Sequence, residues 1–165
     1  ESTGKTWLCE ALAKYYQTVW VPEYARDYFN HSDIYNYTLE DLIIIAKKQI
    51  ELEQELLKKA NGFLFCDTSL ITLKIWSELE FGLTPPLITE LLELSRYNLY
   101  LITDNQIPWV EDSQRQNKHS RELLFNLNLN EIKRTTIPFA IIKGDKKDRL
   151  KNAILEINTL LDLNV

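Results

Sequence analysis

The chain has 165 residues, enough for one domain with a sizeable buried core. Its hydrophobic fraction of 45% and charged fraction of 26% are ordinary for a globular protein. A net charge of −5 argues against a non-specific nucleic-acid binder, and no uninterrupted apolar run is long enough to cross a bilayer. Cys9 and Cys66 lack metal-ligand spacing and fall in apolar segments, so they read as small core residues of a reduced, cytoplasmic protein.

The first segment is the most informative. Glu1-Ser2-Thr3-Gly4-Lys5-Thr6 ends in G-K-[ST], the second half of the phosphate-binding loop G-x-x-x-x-G-K-[ST]. The first glycine of that pattern would fall two residues before Glu1, so we expect an N-terminally truncated chain whose first, central strand is missing. In such a loop the backbone N–H groups around Ser2, Thr3 and Gly4 point at nucleotide phosphates. Lys5 reaches the β- and γ-phosphates, and the Thr6 hydroxyl coordinates Mg²⁺. Trp7 to Tyr16 follows with helical spacing, placing Leu8, Ala11 and Leu12 on one face.

Thr18 to Val21 is a β-rich run ended by Pro22, and Glu23 to Phe29 is a short helix or helical turn. Asn30 to Tyr37 is a polar loop. Thr38-Leu39-Glu40-Asp41 resembles a capping box and opens a long helix to about Ala60, with Leu42, Ile45, Ala46, Gln49, Ile50, Leu56 and Leu57 broadly at helical spacing. Asn61-Gly62 stops that helix. Phe63 to Cys66 is a buried strand, Leu70 to Glu80 a helix, Gly82 to Pro86 a loop and Leu87 to Ser95 a helix. Leu99 to Ile102 is a strand, Asp104 to Lys118 a polar stretch, and Glu122 to Leu129 a helix. Phe139 to Ile142 is the last strand, Gly144 closes it, and Lys147 to Leu161 is the last helix.

Strands alternate with helices, which implies an α/β fold with a parallel sheet. With the missing strand restored, the sheet has five strands flanked by helices. That is the layout of a P-loop NTPase of nucleoside- or nucleotide-kinase type. We expect residues 1–165 to form one such domain, with a lid-like segment at about 105–121.

Ligands of open α/β sheets bind beyond the carboxyl ends of the strands. Glu23, Asp67, Asp104 and Asp145 follow strand ends. Asp67 is placed either to support Mg²⁺ or to cap the next helix. Glu23 is placed to take the proton of an attacking hydroxyl, and Arg26, one turn on, to clamp a phosphate or orient Glu23; a surface ion pair is the alternative. In the lid-like stretch Trp109 offers a face for ring stacking, and Arg115 and Arg121 could neutralise a transferring phosphoryl group. The alternatives there are a core tryptophan and solvated charges. The loop Gly144 to Arg149 either contacts adenine or is a plain strand-to-helix turn. His31 and His119 are isolated and carry no role.

With these residues in view, the chain resembles the ribosylnicotinamide kinase domain of NadR-type proteins, an AAA-type ATP-binding domain. The resemblance rests on Glu1 to Thr6, on Val21-Pro22-Glu23-Tyr24-Ala25-Arg26-Asp27-Tyr28 and on Tyr37 to Leu42. It continues in Phe65 to Thr68, in Ile107-Pro108-Trp109-Val110-Glu111-Asp112 with Arg115, and in Gly144 with Arg149. It implies ATP-dependent phosphorylation of nicotinamide riboside at its 5′-hydroxyl, with ATP and Mg²⁺ as cofactors. Under it, Lys5, Glu23, Asp67, Arg115 and Arg121 are catalytic. Ser2, Thr3, Gly4, Lys5, Thr6 and Arg149 bind ATP, and Thr6 and Asp67 hold the metal. Glu23, Arg26, Trp109 and Asp112 meet the substrate. The partner is a small nucleoside; neither membrane nor direct nucleic-acid binding is expected. In multi-domain relatives an adenylyltransferase domain precedes this one, so a fused upstream domain is a candidate partner. The competing readings are a kinase for another nucleoside or nucleotide, a non-catalytic module sensing ATP or NAD, and a molecular-switch ATPase.

Overall fold

The computed structural model describes residues 3–105 and 121–162. Its elements, in order, are α1 (Lys5–Tyr15), β1 (Trp20–Val21), α2 (Tyr24–Phe29), α3 (Leu39–Leu57), β2 (Phe65–Cys66), α4 (Leu70–Phe81), α5 (Pro86–Leu94), β3 (Tyr100–Thr103), α6 (Arg121–Arg134), β4 (Phe139–Ile142) and α7 (Lys146–Asp162). This is the expected α/β alternation, with every predicted element present. The largest difference is α6, which runs five residues past Leu129, to Arg134. Its asparagines do not stop it, because Leu124, Leu127 and Ile132 keep an apolar stripe through the polar run.

The chain divides into two compact units, one of Glu1–Leu12 with Arg96–Val165, the other of Ala13–Ser95. Each contains one parallel pair of strands. Among the described residues β1 pairs with β2 and β3 with β4, which makes two separate two-stranded parallel pairs.

In the 13–95 unit, Trp20 lies opposite Phe65 and Val21 opposite Cys66. Thr18 sets this register: its hydroxyl donates to the Phe63 carbonyl at 2.6 Å and accepts from the Asn61 N–H at 2.8 Å. The core lies among α2, α3, α4 and α5, built from Ala25, Phe29, Leu42, Ile45, Ala46, Leu70, Leu73 and Ile88. Tyr24, Tyr28, Tyr37, Trp76 and Phe81 pack around it. The capping box at Thr38 is complete, with the Asp41 N–H bonded to the Thr38 hydroxyl and the Thr38 N–H to the Asp41 carboxylate. Tyr28 donates its hydroxyl to the same carboxylate. These bonds hold the Asp41 carboxyl below its ordinary range, the Tyr28 bond first.

In the other unit, Tyr100 to Thr103 pair with Phe139 to Ile142 in parallel register, and α7 packs on β4. Ile102, Ile142, Ala153 and Ile157 are buried there. No described helix is long and apolar enough to cross a membrane.

Candidate active site

Glu23 and Asp67 leave the same end of one strand pair. The Asp67 N–H donates to the Val21 carbonyl at 2.9 Å, which extends the β1–β2 ladder by one rung. Neighbouring strands are about 4.8 Å apart, so both carboxylates start from adjacent positions on one edge. Asp67 is only 5% exposed. The N-cap position of α4 falls on Ser69, not on Asp67. The Cys66 thiol, next to it, is pushed well up by burial and then by Glu53, so it stays protonated and is no nucleophile.

Glu23 occupies the N-cap position of α2, yet its side chain makes no capping bond. Its carboxylate meets Arg26 instead, Oε2 to Nε at 3.3 Å, and is 12% exposed. The first N–H groups of a helix have no intrahelical partner. Here the Tyr24 N–H is satisfied from another helix: it donates to Gln49 Oε1 at 2.9 Å. Gln49 Nε2 donates in turn to the Pro22 carbonyl at 3.3 Å. One amide from α3 therefore holds the backbone on both sides of Glu23. Gln49 is 1% exposed and lines a small cleft together with Glu23, Thr68, Ser69 and Thr72. Sequence reasoning counted Gln49 among the stripe positions of α3 and assigned it no role. A polar residue on an otherwise apolar stripe was the available signal, because a buried amide needs partners.

In the other unit, Gly4 has φ of +78° immediately before Lys5, the first residue of α1. That is the left-handed backbone a phosphate loop asks of its glycine. Thr3 is buried, and Thr103, at the end of β3, donates its hydroxyl to the Thr3 hydroxyl at 2.7 Å. The loop is thus tied to a strand end, where ligands of open sheets bind. At the end of β4, Gly144 has φ of +96°, a conformation glycine adopts freely, and the Asp145 carboxylate accepts the Asp148 N–H at 3.0 Å, so the turn is capped. Lys146 lies over the Trp7 ring, 5.4 Å from its centroid.

Arg149, expected to bind ATP, is turned inward and is 1% exposed; its guanidinium bonds protein carbonyls and Asp104. Asp104 is buried beside it as its counter-charge. Arg121 opens α6. Ser2, Trp109, Asp112, Arg115 and the lid-like stretch they expect lie outside the described residues, apart from its two ends.

Among the described residues no cluster of three or more His, Cys, Asp or Glu could hold a metal by itself. Mg²⁺ takes one or two protein oxygens and completes its shell with phosphate and water, so it does not require such a cluster.

A profile for AAA domains matches residues 1–149. The trifunctional NAD biosynthesis/regulator protein NadR of Salmonella typhimurium is 30% identical over 148 residues, which are 87% of this chain and 36% of that protein. The protein of the same name from Escherichia coli K12 is 29% identical over 153 residues, 90% of this chain and 37% of that one. The chain thus spans little more than a third of these relatives. A crystal structure of NadR protein in complex with NR superposes with a TM-score of 0.78 at 20% identity, covering 96% of this chain and 48% of that chain.

Proposed function

We propose, from the premise that the chain belongs to the AAA-domain family matched over residues 1–149, that it transfers the γ-phosphoryl group of ATP to the 5′-hydroxyl of nicotinamide riboside. The product is nicotinamide mononucleotide, a step of NAD salvage in the cytoplasm. The observation that carries the reading is the Glu23 arrangement. A carboxylate at a strand end, making no capping bond, set on backbone held by Gln49 and paired with Arg26, is what a base for a hydroxyl acceptor requires. The relatives add NAD biosynthesis by name, and the superposed structure adds NR.

In this reading the domain is a single kinase domain with a five-stranded parallel sheet. The exposed alternate residues Phe139 and Ile141 of β4 and the two short strand pairs are what a larger sheet would contain. The backbone around Gly4 and the start of α1 cradle the phosphates, and Lys5 neutralises charge on the group in flight. Glu23 takes the proton of the ribose hydroxyl as it attacks. Thr6 and Asp67 would hold Mg²⁺, which screens the phosphate oxygens. Trp109 and Asp112 are assigned to the nicotinamide riboside, and Arg115 and Arg121 to the phosphoryl group, on the sequence resemblance. Phosphoryl transfer asks the protein for alignment and charge more than for covalent chemistry.

A substrate panel tests the acceptor. The full-length protein with Mg-ATP should phosphorylate nicotinamide riboside and leave thymidine and deoxycytidine unchanged. Preference for either deoxynucleoside would replace this acceptor assignment.

A further inference from the structure

Among the described residues Arg149 is the largest fully buried side chain, and it is charged. An isolated buried cation costs several kcal/mol unless it is paired and its donors are satisfied. Here Nε donates to the Gly144 carbonyl at 2.8 Å. Nη1 donates to the Thr3 carbonyl, and Nη2 to both the carbonyl and the carboxylate of Asp104. Three carbonyls from three chain segments meet one guanidinium: the phosphate loop, the end of β3 and the end of β4. A planar fork with five N–H donors spans such a set, and an ammonium does not.

The grip on Thr3 has a consequence for the loop. The carbonyl of Thr3 and the N–H of Gly4 belong to one planar trans peptide, in which they point in opposite directions. Drawing the Thr3 oxygen onto the buried guanidinium turns the Gly4 N–H away from it. That is the group a phosphate loop must present to an anion. The Thr103 hydroxyl bond to Thr3 fixes the same residue from its side chain. The Arg149 guanidinium is not open to a nucleotide base, because it is buried and its nitrogens donate to protein oxygens.

We propose that Arg149 is a positioning residue for the phosphate loop: paired with Asp104, it sets the Thr3–Gly4 peptide so that the loop's N–H groups face the phosphates of ATP. The inference rests on the phosphate-loop reading given above. It gives Arg149 a role through the backbone and not through contact with adenine.

Binding of Mg-tripolyphosphate and of adenosine to the full-length protein, measured by calorimetry, separates these roles. Wild type should bind tripolyphosphate. Arg149→Lys should weaken it about tenfold or more, the scale of a lost charged hydrogen bond, and leave adenosine binding unchanged. In turnover the KM for ATP should rise while the KM for the riboside stays put. The double variant Asp104→Asn with Arg149→Met removes both buried charges together. Provided its circular dichroism and melting are native-like, it should show the same loss. Wild-type tripolyphosphate affinity in a folded Arg149 variant would overturn the proposal, as would loss of adenosine binding alone. Equal weakening of tripolyphosphate and adenosine with a lowered melting temperature would overturn it too, by making the role merely structural. A wild-type protein that binds neither tripolyphosphate nor ATP would overturn the phosphate-loop reading itself.

Discussion

The two compact units solve one problem in two ways. Each must hold a functional backbone segment at the end of a parallel strand pair, and each does so with one polar side chain that is 1% exposed. In the 13–95 unit the side chain is neutral: Gln49 gives one hydrogen bond and takes one, on either side of Glu23. In the other it is charged: Arg149 only donates, gathers three carbonyls, and needs Asp104 as counter-charge. The surroundings differ to match. Gln49 sits beside a core rich in aliphatic and aromatic side chains, where a full charge would be costly. Arg149 sits where strand and loop ends leave carbonyls without N–H partners, and only a multiple donor can satisfy them. A neutral pin is the less costly one, while a charged pin governs more chain segments at once.

The strongest way to break this comparison is to remove the groups the pins serve. Lys5→Ala should lower turnover on the order of 10³-fold or more, the scale for a cation at the transferring phosphoryl group, with the fold intact by circular dichroism. Near-normal turnover would remove the phosphate role from the first unit. Glu23→Gln should lower kcat about 10²-fold or more while ATP binding stays close to wild type. Equal kcat would reduce the Glu23–Arg26 contact to an ion pair without catalytic work.

The pins themselves sharpen it. Gln49→Met keeps the volume but removes both part-buried hydrogen bonds, to the Tyr24 N–H and the Pro22 carbonyl, so we expect about 1–3 kcal/mol of lost stability by denaturant unfolding. Its kcat should also fall, with the KM for ATP unchanged. An unchanged midpoint and kcat would show that the amide is dispensable.

Much of this was readable in the residues. Alternation of apolar runs with periodic segments gave every element, and G-K-T at the head of a helix marked the phosphate loop. The strand-end positions of Glu23 and Asp67 were readable because the apolar runs before them stop there, and the structure places both just past β1 and β2. What the residues could not give was direction. Arg149 follows a strand-ending glycine by five positions, which fits an outward ligand and an inward clamp equally well; only burial separates them. Gln49 was hidden for the converse reason, since long-range bonds to Pro22 and Tyr24 leave no trace in local spacing. Asp104 read as one more strand-end acid, and its pairing depends on a residue 45 positions away.

The smallest expected effect concerns the approach to Glu23. Thr38→Ala removes the cap of α3, the helix that carries Gln49, and should cost about 1 kcal/mol. The sign with pH follows from Asp41. Its folded pKa lies below its unfolded value, so the contribution is present above the unfolded pKa and is lost as pH falls through the folded one. The difference between wild type and Thr38→Ala, read from urea midpoints, should therefore shrink in acid. A gap that widens on acidification would contradict the capping account.

The central claim is phosphoryl transfer to nicotinamide riboside, and one assay meets it directly. The full-length protein is incubated with Mg-ATP and nicotinamide riboside, and ADP and nicotinamide mononucleotide are quantified together by chromatography. We expect the two products in equal amounts, and neither from the Lys5→Ala variant. ADP without mononucleotide would contradict the claim in favour of an ATPase or another acceptor, and the absence of both would contradict it in favour of a nucleotide-sensing module.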